Sequence, residues 1–251
     1  MSTDMNTVSA AVVLGVGASQ GIGAAVSRRF AREGLLVYVA GRTAAKLDAV
    51  VAEIQQAGGQ AEAVVLDASD AAQIAQLFAG VTERGQVLAA VVHNVGGNVP
   101  SRFLGSSLNF FNSMWRFTFM AGFVVGQQAV AIMRQQGHGS IVFTGASASM
   151  RGKPFFAAFT MGKAALRAYA LGLAQELKPQ NIHVAHVVVD GMVDGDRVNK
   201  AVFGLGRLLR NTRGTGGLNI EAIAENYWML HQQHTSLWTH ELDLRPYREK
   251  F

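Results

Sequence analysis

The stretch Phe159-Thr160-Met161-Gly162-Lys163 sets a lysine four residues after an aromatic ring. On a helix that spacing puts both side chains on one face, about one turn apart. An ammonium there lowers the pKa of a neighbouring acid and bonds a bound ligand. The ring in this chain is phenylalanine, which has no proton to give. Few other polar groups stand where chemistry is feasible. Ser147 is a hydroxyl just after an apolar run, with loop capping as its competing role. His93 ends another such run and titrates in a useful range, or is a satisfied strand-end imidazole. Arg42 is a fixed cation suited to charge-assisted bonds with phosphate. The run Gly15-Val16-Gly17-Ala18-Ser19-Gln20-Gly21-Ile22-Gly23 lacks the side chains that would keep a pyrophosphate from the backbone, and a helix N-terminus beginning within it meets the phosphate charge.

Other chemistries fall away. Without cysteine, there is no disulfide, thiol nucleophile or thiolate metal site. His183 and His186, three apart on a strand, point to opposite faces, and His231 and His234 lack a third ligand, so no metal is expected. Tyr169, ten residues beyond Phe159, lies roughly 15 Å along the helix and is too far to replace a phenol there.

These residues need a scaffold. Short apolar runs at 11–14, 35–40, 63–66, 88–92, 140–143 and 183–189 read as buried strands, with a further one at 241–244. Helical periodicity falls between them, at 21–33, 44–57, 70–82, 108–136 and 156–177. Such alternation predicts an α/β chain with a Rossmann-like doubly wound parallel sheet in three α/β/α layers. No linker, repeat or charge block divides residues 1–251, which are read as a single domain.

Gly17-x-x-x-Gly21-x-Gly23 after the first strand resembles the glycine pattern of the short-chain dehydrogenase/reductase family, with Val16 where a threonine often stands. The similarity continues at Asp67-Ala68, where the family contacts adenine, and at His93-Asn94-Val95-Gly96, its Asn-Asn-Ala-Gly turn. It covers nearly the whole chain and implies an oxidoreductase binding a nicotinamide dinucleotide through Gly17, Ser19, Gln20, Gly21, Ile22, Gly23, Asp67, Ala68, Asn94, Val95, Gly96 and Lys163. Where an acidic residue would bond an NAD ribose, the second strand ends in Gly41-Arg42-Thr43; Arg42 favours NADP(H) over NAD(H).

The same resemblance exposes gaps. Phe159 holds the place of the tyrosine acid, Ala146 that of the serine polarising the substrate oxygen, and Phe119 falls near the asparagine that bends the long helix. The Pro-Gly after the sixth strand corresponds to Asp190-Gly191, leaving the N–H of Val193 as the nicotinamide contact. The catalytic candidates are therefore Lys163, Ser147 and His93. Two readings follow: an oxidoreductase acting on a carbonyl, alcohol or activated double bond without the usual acid, or a catalytically silent NADP(H) sensor or ligand-binding protein.

Residues 194–219 occupy the place of a substrate lid, with Val202, Phe203, Leu205, Leu208 and Leu209 interleaved with Arg207, Arg210 and Arg213; the pair Gly216-Gly217 is read as a hinge. Relatives assemble through the helices at 108–136 and 156–177, so a homodimer or homotetramer is expected, with Phe110, Phe111, Trp115 and Phe123 as interface surface or core. The net charge of +5 comes from dispersed cations, which argues against nucleic acid as a partner and for a small-molecule substrate. No export segment is read near Asp4, and residues 117–133, broken by Thr118, Gln127 and Gln128, are read as too short to span a bilayer. A cytoplasmic protein with no membrane partner is the expectation.

Overall fold

The computed structural model describes residues 8–194 and 217–247. Seven parallel strands form one sheet in the order β3-β2-β1-β4-β5-β6-β7: β1 Ser9–Leu14, β2 Leu36–Gly41, β3 Gln60–Val65, β4 Val87–His93, β5 Gly139–Thr144, β6 Ile182–Val189 and β7 Glu241–Leu244. Strand order reverses beside β1, and such a switch point opens a crevice at the carboxyl ends of the strands. The central strands are apolar on both faces because helices cover both. Val12 and Leu14 pack into one core layer, and Ala11 and Val13 into the other.

α1 (Ile22–Arg32) starts straight from the glycine turn, with Arg29 and Arg32 in its last turn, where cations offset the helix dipole. α2 (Ala44–Gln56) follows β2. The carboxylate of Asp70 caps α3 (Ala71–Glu83) by accepting from the amides of Ala72 and Gln73. The long helix read at 108–136 is composite: α4 (Leu108–Trp115), a π-turn at Arg116–Met120, then α5 (Ala121–Gln136). The whole run of 29 residues, unlike the shorter stretch 117–133 considered in the sequence, is by length and composition long and apolar enough to cross a membrane. In the fold its Val125, Ala129 and Met133 are fully buried in the core.

α6 (Ala157–Leu177) crosses behind β5 and β6. α7 (Ile220–Gln232), capped by Asn219, corresponds to no predicted element. Its signal was present in Ile220, Ile223, Ala224, Tyr227 and Leu230, all buried and spaced at three to four residues. Phe30 of α1 meets Trp228 edge-on at 5.2 Å, which seats α7 on the outer layer.

Candidate active site

The glycine turn and the β4 turn are fitted to each other. The amide of Asn94 donates to the Leu14 carbonyl at 2.9 Å, and its side-chain Nδ2 donates to the Gly15 carbonyl at 3.2 Å. Gly15 has φ +86, and a Cβ there would stand 2.6 Å from the Asn94 carbonyl carbon. At Gly41 a Cβ would stand 2.2 Å from the Val16 carbonyl oxygen. Gly17 is the opposite case: its missing Cβ leaves open space, facing a cleft of about 860 Å³.

Of the residues expected to hold a dinucleotide, Gly17, Arg42, Asp67, Ala68, Asn94, Val95 and Gly96 line this cleft. Ser19, Gln20, Gly21, Ile22, Gly23, Lys163 and Val193 are not on its wall; the first five lie in the bend that leads into α1 and in its first turn. Ser19 faces α2 instead, its hydroxyl donating to Glu53 at 2.8 Å, with Arg28 bonded to both residues. Gly23 serves through packing, against Asn94 and Val16.

Thr43 and Lys46 join Arg42 on the cleft wall. Sequence reasoning overlooked Lys46, although it follows Arg42 by one helical turn at the start of α2. The Arg42 guanidinium lies 5.4 Å from the Phe117 ring centroid, which orients it at the mouth. Asp67 is turned inward: its carboxylate accepts from the amide and hydroxyl of Ser69, both at 2.9 Å, and the Ser69 amide is the main cause holding its pKa below the ordinary carboxylate value.

Lys163 lies behind Gly96, only 3% exposed. Its Nζ donates to the Thr144 carbonyl at 2.7 Å and to the Val95 carbonyl at 3.1 Å. Burial pulls its pKa down to about 8. One turn earlier on α6, Phe159 is buried with Met114, Ala148 and Ala158, and Ala146 packs against the same cluster. The ring and the alanine assigned by resemblance to the tyrosine and serine places thus come together.

Ser147 opens a short 3-10 turn, Ser147–Ser149, and stays half-buried there. The hydroxyl folded inward is that of Ser149, whose Oγ accepts from the Ala146 amide at 3.2 Å. It was missed, and a serine three residues beyond a loop start is its only sequence signal.

His93 is not on the cleft wall. The two-residue strand period puts it on the same face of β4 as Val91, buried between Gly122 and Phe143. Neither ring nitrogen has a hydrogen-bond partner among the described residues. Burial first, and the Lys163 charge second, bring its pKa down to about 3. The neutral ring therefore stabilises the fold fully above its ordinary pKa of 6.5, and this contribution is lost as the pH falls towards 3. At about pH 5 the loss is about 2 kcal/mol. Urea unfolding of His93→Leu should show acid dependence shallower by up to one proton than that of the wild type; an unchanged profile would mean that His93 charges within the fold.

After β6, Asp190 is 2% exposed, and its carboxylate accepts from Arg151 at 3.2 and 3.3 Å. Val193 forms an isolated parallel bridge with Leu218. The bridge uses the Met192 carbonyl and the Asp194 amide, so Val193's own N–H takes no part in it. Residues 195–216, with most of the expected lid, its arginines and Gly216, lie outside the described residues.

Phe119 packs in an aromatic chain with Trp115, at 4.5 Å, and Tyr169, at 6.0 Å. The buried polar residue of the π-turn is its neighbour Thr118, which donates to the Met114 carbonyl at 2.5 Å. Tyr169 donates to the Phe123 carbonyl at 3.2 Å, and burial pushes its pKa up to about 12.

Residues 11–202 match the short chain dehydrogenase family. The chain belongs to that family. An uncharacterised oxidoreductase of Mycobacterium tuberculosis is 32% identical over 181 residues, covering 72% of this chain and 69% of that one. The crystal structure of a short-chain dehydrogenase from Rhodopseudomonas palustris, 36% identical, superposes with a TM-score of 0.78 over 95% of this chain and 99% of that one. An actinorhodin polyketide ketoreductase crystallised with NADPH shares the fold, with a TM-score of 0.85 at 22% identity over 95% and 96% of the two chains. In this short-chain dehydrogenase the cleft opens where the strand order reverses, and the fold matches the predicted doubly wound sheet.

Proposed function

We propose that this protein is a cytoplasmic NADP(H)-dependent oxidoreductase whose reaction proceeds without a phenol acid. The observation that carries this reading is the pairing of Phe159 with Ala146 in one apolar cluster, one helical turn from a buried Lys163. NADPH, when bound, would supply a hydride. Around it, Arg42 and Lys46 bring positive charge to the end of β2, which has no acid of its own, while the nearby Asp67 carboxylate is bonded to Ser69. Lys163 holds a proton at Nζ and releases it near neutral pH, because burial has brought its pKa to about 8. A positioned general acid contributes roughly 10²- to 10⁴-fold, so reduction of a plain carbonyl is slow here. An enone or imine suffers less, since its proton arrives elsewhere or is already in place.

Steady-state NADPH oxidation with carbonyls, enones and imines, run beside Lys163→Ala, tests this. Turnover of enones or imines that disappears in the variant supports it. Tight NADPH binding with no turnover supports the second reading, a sensor, which is favoured by the seclusion of His93 from the cleft. For Arg42→Ala, calorimetry should show NADPH affinity falling roughly 10- to 100-fold, as expected for the loss of a charge-assisted bond, with NADH affinity unchanged. Equal effects on both cofactors would remove the basis for NADP preference.

A further inference from the structure

The cleft changes character beyond Gly97. Arg42, Lys46, Asp67, Ser69 and Arg116 make one part of its wall polar, with Phe117 bordering it beside the Arg42 guanidinium; Phe110 and Met114 make another part apolar. Phe110 and Met114 also pack in the cluster around Phe159, so cleft wall and cluster form one continuous apolar surface. That surface runs outward: Phe111 meets Phe110 edge-on at 6.2 Å, and Phe103 meets Phe111 edge-on at 6.5 Å. At the rim, Phe103 is 72% exposed, Leu104 97%, Leu108 75% and Phe155 57%. Large apolar side chains exposed together on neighbouring loops mark a place where something binds.

Two further features show that this rim is built. The Ser101 amide donates to the Phe155 carbonyl at 2.7 Å, tying the loop after β4 to the loop after β5. Phe155 itself has φ 68, a left-handed conformation that bulky side chains rarely adopt and that surrounding structure must maintain. Between Glu83 and Glu176 the sequence holds no aspartate or glutamate, while Arg102 and Lys153 stand in these two loops.

We infer that the substrate entering beyond Gly97 is an apolar, ring-bearing molecule, uncharged or anionic, for which the Phe103–Leu104–Phe155 rim is the landing surface and the cluster around Phe159 the seat. Aromatic faces and edges stack on rings and offer a polyol no hydrogen bond, and the two rim loops, which carry Arg102 and Lys153 but no acid of their own, give no partner to an amine. This inference rests on the NADP(H) oxidoreductase reading for the identity of the cleft, but not for its apolar chemistry.

The test titrates the full chain with 2-acetylnaphthalene and, separately, with fructose, following protein fluorescence with and without NADPH. Wild type is compared with F103S/L104S and with M229S/L237S, a control pair that is also exposed but lies on and after α7. The naphthyl ketone should bind at least tenfold more tightly than fructose, and at least tenfold more weakly to F103S/L104S, with the control pair unchanged. Equal affinity for both ligands, or no effect of the rim pair, overturns the proposal. So does a rim pair that alters only co-sedimentation with phosphatidylglycerol vesicles or the sedimentation coefficient, since a membrane or a second copy would then be the occupant. Loss of NADPH binding with the naphthyl ketone still bound would overturn the cofactor reading alone.

Discussion

Phe159→Tyr combined with Ala146→Ser is expected to raise NADPH-dependent reduction of an aryl ketone by roughly 10²- to 10⁴-fold over wild type, the usual contribution of a positioned general acid. Both side chains belong to one cluster, so the new phenol and the new hydroxyl would face the same space. Lys163 stands one turn along α6, and its charge would lower the phenol's pKa towards the working range. A phenol placed in this apolar surround needs a hydrogen-bond partner, and the hydroxyl introduced by Ala146→Ser supplies one, so either single substitution should recover less than the pair. Steady-state rates at saturating NADPH measure the gain. If the double variant keeps its NADPH affinity and its circular dichroism yet gains no activity, residue 159 does not face the reacting carbonyl.

The largest stability effect is expected where α6 touches the π-turn. A Cβ added at Gly162 would stand 1.7 Å from Thr118 Oγ1 and 2.6 Å from Thr118 Cβ. Thr118 is fully buried and held by its bond to the Met114 carbonyl, so it has nowhere to retreat. Gly162→Ala must push α6 away from the long helix, at about 1 to 3 kcal/mol or more for an overpacked contact. The displacement would carry Lys163 with it and weaken NADPH binding. Moving the Cβ from one helix to the other, in Gly162→Ala with Thr118→Gly, should restore part of the loss, a coupling of about 0.5 to 3 kcal/mol in urea unfolding. Strictly additive effects would show that the two positions do not press on each other.

The elements that sequence patterning located are those whose signals are local. Continuous apolar runs marked β1 and β2, Asp70 carries capping chemistry, and the glycines from Gly15 to Gly23 sit directly between strand and helix. The absence of acid after β2 was equally plain in Gly41-Arg42-Thr43. Less local features escaped. Ser19 looked like a phosphate contact by motif position, and its turn towards Glu53 depends on α2 packing beside α1. Asp190 and Arg151 are 39 residues apart, and only the meeting of the β5 and β6 loops makes them a pair. The π-turn at Arg116–Met120 was invisible because its residues continue the periodicity of a single long helix.

Sequence alone therefore settled which chemical groups exist: a lysine without its phenol, an arginine without a competing acid, and a backbone free of side chains at a strand end. Tertiary structure decided what state those groups are in. His93 and Lys163 are ordinary titrating residues in the linear chain. Folding takes both from water, and the penalty on charge in a low-dielectric interior leaves the imidazole neutral, with a pKa of about 3, and brings the ammonium to about 8. Charge depends on surroundings, and residues distant in the chain supply them.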